Sequence, residues 1–126
     1  MRINHRMGIV LSDVHVPFQD KAVCRMALGF IREHRPATLH LLGDVADFYS
    51  ISRFTKDPAR REDLQEDLDA TLEFLTEVRD AAPAARIMFS EGNHEFRLRR
   101  YLASEAKALA MLRDLRLERL LDFESL

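Results

Sequence analysis

The sequence is short of several things, and each shortage narrows what it can be. It has one cysteine, Cys24, among 126 residues, so no internal disulfide can form and a reducing compartment is expected. Cys24 falls among apolar residues of a predicted helix, where a thiol is a small core side chain. No apolar run approaches the roughly 18 residues of a membrane span, and the N-terminus lacks the apolar region of a signal peptide. A cytoplasmic location without a membrane partner is the expectation. The formal net charge is only -2, so no overall basic field draws the chain to nucleic acid or lipid. Lysine is scarce, 16 of the 19 basic residues being arginine; codon bias explains that as readily as anion binding. There is no repeat, low-complexity tract or linker, and no histidine follows His94.

What is present is ordinary in bulk and unusual in arrangement. A content of 47% hydrophobic and 32% charged residues is that of a globular protein, and the length is one domain, 1–126, with a modest core. Met7 to Ser12 is a continuously apolar run, as in a strand buried on both faces. Asp20 can cap a helix carrying Val23, Met26, Ala27, Phe30 and Ile31 on one face, with His34 near its C-terminal dipole and Pro36 stopping it. Thr38 to Leu42 is the second strand. Asp57-Pro58 reads as the N-cap and first residue of a second helix, with Leu64, Leu68, Leu72 and Leu75 as its core stripe. Pro83 separates it from a third strand, Arg86 to Ser90. A third helix is predicted from about Phe96 to Leu112, with Leu98, Tyr101, Leu102, Leu109 and Leu112 apolar. The order β-α-β-α-β-α implies an α/β fold with a parallel sheet and right-handed crossovers. The tail from Leu115 to Leu126 carries so many apolar side chains that a partner surface is expected for it.

All three strands end in residues that bind metals. The first closes on Asp13-Val14-His15, the second on Gly43-Asp44-Val45-Ala46-Asp47, the third on Gly92-Asn93-His94-Glu95. Ligands of an open parallel sheet bind at the carboxyl ends of its strands. In an extended segment Asp13 and His15 point the same way and can chelate one ion. Asp44 can bridge two ions, and Asn93 offers a neutral oxygen to the second. Mixed Asp, His and Asn ligation suits Mn, Fe or Zn better than calcium. Two dications about 3.5–4 Å apart generate a hydroxide nucleophile and clamp the oxygens of an in-line phosphoryl displacement. His94 beside them can, as an imidazolium, neutralise transition-state charge or protonate the leaving oxygen, with Asp47 holding its other nitrogen. Arg97, Arg99 and Arg100 follow closely and can meet substrate phosphates. Phe48 and Tyr49 can stack a base, although core or lid packing is the commoner use of such residues. Each of Asp13, Asp44 and Asn93 alone is explained by the preference of Asp and Asn for turns; the two histidines at matching spacing are not.

Asp13-x-His15, Gly43-Asp44-x-x-Asp47 and Gly92-Asn93-His94-Glu95 resemble, in order and placement, the first three motifs of the calcineurin-like metallophosphoesterases. The resemblance implies a two-sheet α/β sandwich, of which this chain supplies the β-α-β-α-β-α half, and a site for two divalent metals. By position, Asp13, His15 and Asp44 match ligands of the first metal, with Asp44 bridging, and Asn93 a ligand of the second. His94 matches the catalytic histidine and Asp47 its carboxylate partner. Phe48-Tyr49 stands where the protein serine/threonine phosphatases carry Arg-Gly, so the chain looks more similar to the compact bacterial and phage phosphoesterases. Those act mainly on phosphodiesters, nucleic acid among them.

The family pattern continues with a further metal-binding histidine and a Gly-His-x-His motif, which this sequence lacks. His5, His34 and His40 fall away from the strand ends and read as structural or surface residues. The domain is therefore expected to be incomplete, with one metal or none bound by this chain alone. Three readings follow: a metal-dependent phosphoesterase completed by a longer chain, a second polypeptide or self-association through Leu115 to Leu126; a non-catalytic relative that binds a metal or phosphate; and an interaction protein that docks by its tail. The intact Asp13, His15, Asp44, Asp47, Asn93 and His94 favour the first.

Overall fold

The computed structural model describes residues 2–53, 56, 57, 59 and 63–126. Three strands, β1 (Asn4–Leu11), β2 (Pro36–Leu42) and β3 (Arg86–Ser90), form a parallel sheet in the order β1-β2-β3. Helix α1 (Lys21–His34) joins β1 to β2 and helix α2 (Leu64–Ala81) joins β2 to β3. Helix α3 (Phe96–Glu105) and the short α4 (Leu117–Leu120) follow. The chain is thus α/β, with Ile9 opposite Leu39 and Leu39 opposite Ile87 across the sheet.

Because the strands are added in one direction, right-handed crossovers put α1 and α2 on the same face. On that face Leu39 and Leu41 pack with Leu28 and Ile31 of α1 and with Leu68, Phe74, Leu75 and Val78 of α2. The alternate residues Val10, His40, Leu42 and Met88 point to the other face. There Val10 is 60% exposed and Leu42 is exposed as well, so β1 is an edge strand open on one side. This departs from the burial on both faces that its apolar run suggests. β1 also begins three residues before Met7 and stops at Leu11, one short of Ser12.

Asp20 caps α1 as expected, its Oδ1 accepting the amides of Ala22 at 2.9 Å and Val23 at 3.1 Å. The buried stripe of α1 differs, however: Leu28 and Ile31 are inside with Cys24 packed against them, whereas Val23, Met26 and Phe30 are exposed, Met26 at 74%. The helix carries two apolar stripes, and the sheet receives the one running through 24, 28 and 31. The chain leaves α1 through Arg35 in a left-handed conformation, φ 48°, and Pro36 opens β2 instead of merely ending the helix. α2 starts later than Asp57-Pro58 suggests, with Asp63 as its cap accepting the amides of Gln65 and Glu66; Pro58 lies outside the described residues. α3 ends at Glu105, short of Leu112. Leu109 and Leu112 are exposed, and without packing to reward it a further helical turn is not held.

The tail folds back on its own sheet. Leu121 is fully buried, the Phe123 ring lies 5.1 Å from that of Phe89, and the carbonyl of Leu126 accepts from Arg79 at 2.5 Å. Among the described residues no helix is long and apolar enough to cross a membrane.

Candidate metal centre

The strand ends converge through unusual backbone. Asp13 (φ 56°), His15 (φ 57°) and Asp44 (φ 53°) are all left-handed, as is Gly43 at φ 82°. For residues with a Cβ this conformation costs about 1–2 kcal/mol each. The segment carrying Asp13 and His15 is therefore not extended; the two left-handed residues bring Asp13 Oδ1 within 3.8 Å of His15 Nε2. The segment is held alongside the turn after β2 by Asp13 N–H donating to Gly43 O (3.2 Å), His15 N–H to Asp44 O (3.0 Å) and Val16 N–H to Val45 O (2.8 Å). Gly43 is required twice, by its φ and because a Cβ there would lie 2.8 Å from the Gly92 Cα.

His15, Asp44 and His94 each offer one ligand atom, and these atoms lie within 4.8 Å of one another. The two imidazoles meet edge to face, centroids 4.3 Å apart. Asp44 Oδ1 accepts the His94 amide at 2.8 Å; among the described residues its other oxygen has no hydrogen bond. Asp13 stands at the rim, its side chain 69% exposed, and Asn93 is exposed beside the cluster. His5 is exposed, His34 stacks on Phe30, and His40 shares a 2.7 Å hydrogen bond with Ser90 Oγ. None of these three joins the cluster.

Asp47 lies behind the histidines and serves both. Its carboxylate Oδ2 is 3.0 Å from His15 Nδ1 and 3.4 Å from His94 Nδ1, while its backbone carbonyl is 3.0 Å from His94 Nδ1. The nearer partner of His94 is thus the carbonyl, and the carboxylate expected to hold it is shared with His15. Arg97 closes the group: only 9% exposed, it donates to the Asp47 carbonyl at 2.9 Å and to His94 Nε2 at 3.3 Å. A guanidinium only donates, so this pattern assigns His94 Nε2 as acceptor and Nδ1–H as donor.

The three arginines read as a phosphate patch have separate surroundings. Arg97 is inside the cluster, and Arg99 is paired with Glu91 at 2.6 Å. Arg100 has its guanidinium pKa lowered by desolvation and by the like charges of Arg53 and Arg97. Phe48 is buried in the core; Tyr49 meets Phe18 edge to face at 6.2 Å. On α2, burial and then the Asp47 charge push the Asp67 carboxyl up to about 6, against a lowering by Ser50. Burial likewise raises the Cys24 thiol.

Sequence reasoning gave no role to Glu95, which is 1% exposed. Its Oε1 accepts the amides of Val45 (2.6 Å) and Ala46 (2.9 Å), and its Oε2 those of Asp44 (2.8 Å) and Gly92 (2.9 Å). The available signal was an acidic residue directly before a predicted helix, which reads as a cap. In the structure it makes no cap bond to α3 and reaches back to two turns.

No family model matches this chain, and no solved structure matches it. The chain is 33% identical over 120 residues to the Gene 54 protein of Mycobacterium phage D29. It is 30% identical over 123 residues to the Gene 54 protein of Mycobacterium phage L5. Each alignment takes in 92% of this chain and 47% of the relative, so the chain spans about half the length of the curated relatives it matches.

Proposed function

We propose that this chain carries the first half of a metal-dependent phosphoesterase site, with phosphodiesters, nucleic acid among them, favoured over phosphoproteins as substrates. The observation that carries this reading is the gathering of His15, Asp44 and His94 at the carboxyl edge of three parallel strands. The His15 imidazole and the Asp44 carboxylate, with the Asp13 carboxylate and the Asn93 amide beside them, form a mixed donor set for Mn, Fe or Zn, while both His94 nitrogens are engaged by Arg97 and the Asp47 carbonyl. His15 and Asp44 would hold one ion, with Asp13 at the rim as a further ligand, and Asp44 and Asn93 would serve a second. When bound, such ions supply Lewis acidity toward phosphoryl oxygens and activation of water.

The chain's own residues do the rest. Asp47 accepts from His15 Nδ1 and orients the ring whose other nitrogen would hold an ion, as a carboxylate behind a ligating histidine does. Arg97 and the Asp47 carbonyl fix His94 between them, with its ring beside the cluster where a phosphoryl group would lie. Arg100, close enough to Arg53 and Arg97 to feel their charges, would be the cation for a substrate phosphate, since Arg97 is held inside the cluster and Arg99 pairs with Glu91. The sandwich implied by the family resemblance is supported by the one-sided sheet, since Val10, His40, Leu42 and Met88 lie where a second layer belongs. The remaining half of the site would come from a longer chain, a second polypeptide or self-association.

The test is hydrolysis of bis-p-nitrophenyl phosphate with Mn²⁺, beside Asp44→Asn and with bound metal counted. Turnover or stoichiometric Mn²⁺ binding that disappears in Asp44→Asn supports the reading. Mn²⁺ content unchanged by that substitution overturns it.

A further inference from the structure

We propose that Glu95 is a positioning residue: its carboxylate staples the turn after β2 to the turn after β3 and thereby sets Asp44 and His94 at their mutual distance. The proposal rests on the reading of that cluster as a metal centre. A carboxylate with 1% exposure is costly to desolvate unless its lone pairs are taken. Here four amides take them, two on each oxygen. Three of the amides, Asp44, Val45 and Ala46, are consecutive and converge as backbone donors do around an anion; the fourth, Gly92, belongs to the other turn. The connection is closed by a second bond running the opposite way, Asp44 Oδ1 accepting the His94 amide at 2.8 Å. Asp44 and the His94–Glu95 segment therefore hold each other through backbone and side chain at once.

The arrangement also explains how Asp44 stays left-handed. Its φ of 53° is strained, and its amide is fixed by Glu95 Oε2 while its carbonyl accepts from His15. Removing the staple releases the amides on which the direction of the Asp44 carboxylate depends. Gln at 95 keeps the shape but sets an NH₂ against two amide donors, so half of the staple is lost without a cavity.

The experiment measures amide hydrogen exchange without metal, and Mn²⁺ affinity by calorimetry, for the unsubstituted chain, Glu95→Gln and Leu28→Ala. The last is a core substitution away from the site that lowers stability without touching the staple. Glu95→Gln should speed exchange at Asp44, Val45, Ala46 and Gly92 while Leu39 and Leu41 stay protected, and should weaken Mn²⁺ binding about 10–100-fold, the usual cost of losing a group that orients a ligand. Leu28→Ala should leave Mn²⁺ affinity unchanged. If Glu95→Gln does not fold, Glu95→Asp keeps the charge but falls one methylene short, and should show the same pattern at smaller size. Unchanged exchange at the four amides, or lost protection with unchanged Mn²⁺ affinity, overturns the proposal. An equal affinity loss in Leu28→Ala reduces Glu95 to a stability residue and overturns it too. If the unsubstituted chain, as half a site, binds no Mn²⁺, exchange alone decides: faster exchange at the four amides in Glu95→Gln but not in Leu28→Ala supports the staple, and unchanged exchange overturns it.

Discussion

Asp67 and Asp44 are both aspartates near the cluster, and their environments give them opposite uses. Asp67 is buried on α2, and its carboxyl is raised from 3.8 to about 6 by burial first and by Asp47 second. Its charged form is disfavoured in the folded chain, so it costs no stability below about pH 4, where it is protonated folded or unfolded. The cost grows from there and is complete above about pH 6. Asp67→Asn should therefore stabilise the chain at pH 7.5, by about 1–2 kcal/mol once solvent screening of a partly enclosed carboxyl is allowed for, and have little effect at pH 3.5. Urea unfolding at the two pH values reads this difference, and an equal effect at both would contradict it. Asp44→Asn should weaken Mn²⁺ binding by more than about 100-fold, because a ligand loses its charge. His94→Ala should abolish turnover in the completed enzyme; metal content measured in the same variant decides whether His94 acts beside the ions or as their ligand. The residues of the cluster were legible in the sequence because Asp and His at three strand ends are chemically conspicuous. Glu95 was not, since one glutamate before a helix looks like any other. Neither was Asp67, one of several acidic residues interleaved with the leucine stripe of α2.

At the scale of elements, the strands were legible to within a few residues and the helices less so. Strand ends announce themselves: Gly43 interrupts an apolar run, and the turn demands it by φ and by contact with Gly92. Gly43→Ala should cost at least about 1–2 kcal/mol from the left-handed backbone alone, more with the clash, and should disturb Asp44 directly. Helix α1 shows why helical faces were harder. Val23, Met26, Ala27, Phe30 and Ile31 share a face by spacing, yet the sheet takes Cys24, Leu28 and Ile31. An apolar stripe reports that a helix has a face to bury, and two stripes leave the choice to its neighbours. Leu28→Ala should destabilise by about 2–5 kcal/mol, whereas Met26→Lys should stay within about 0.5 kcal/mol. Thermal unfolding separates the two, and comparable losses would restore the face read from spacing. The left-handed residues Asp13 and His15 had no sequence signal, because neither residue type requires that backbone.

At the scale of the molecule, the described residues form a sheet with the crossover helices α1 and α2 on one side. The β-α-β-α-β order was enough to foresee a parallel sheet, but the openness of one face follows only from the strand order β1-β2-β3. Exposed Val10 and Leu42 on that face should make the isolated chain self-associate at micromolar concentration, as contiguous apolar surface does. Sedimentation should show this, and Val10→Lys should shift the chain toward monomer; a monomer without the substitution would contradict it. The tail, for which a partner surface was expected, packs in part on the chain itself through Leu121 and Phe123.

The hydrogen bonds that build the cluster also impose an order in time. His15 meets Asp47 across 32 positions, and Asp44 meets His94 across 50. No short segment of the chain contains the site, and a growing polypeptide cannot close it until Glu95 has left the ribosome. Metal capture by a nascent chain would therefore mark the moment at which the third strand has docked, and a ribosome stalled before that point would hold a sheet with nothing to bind.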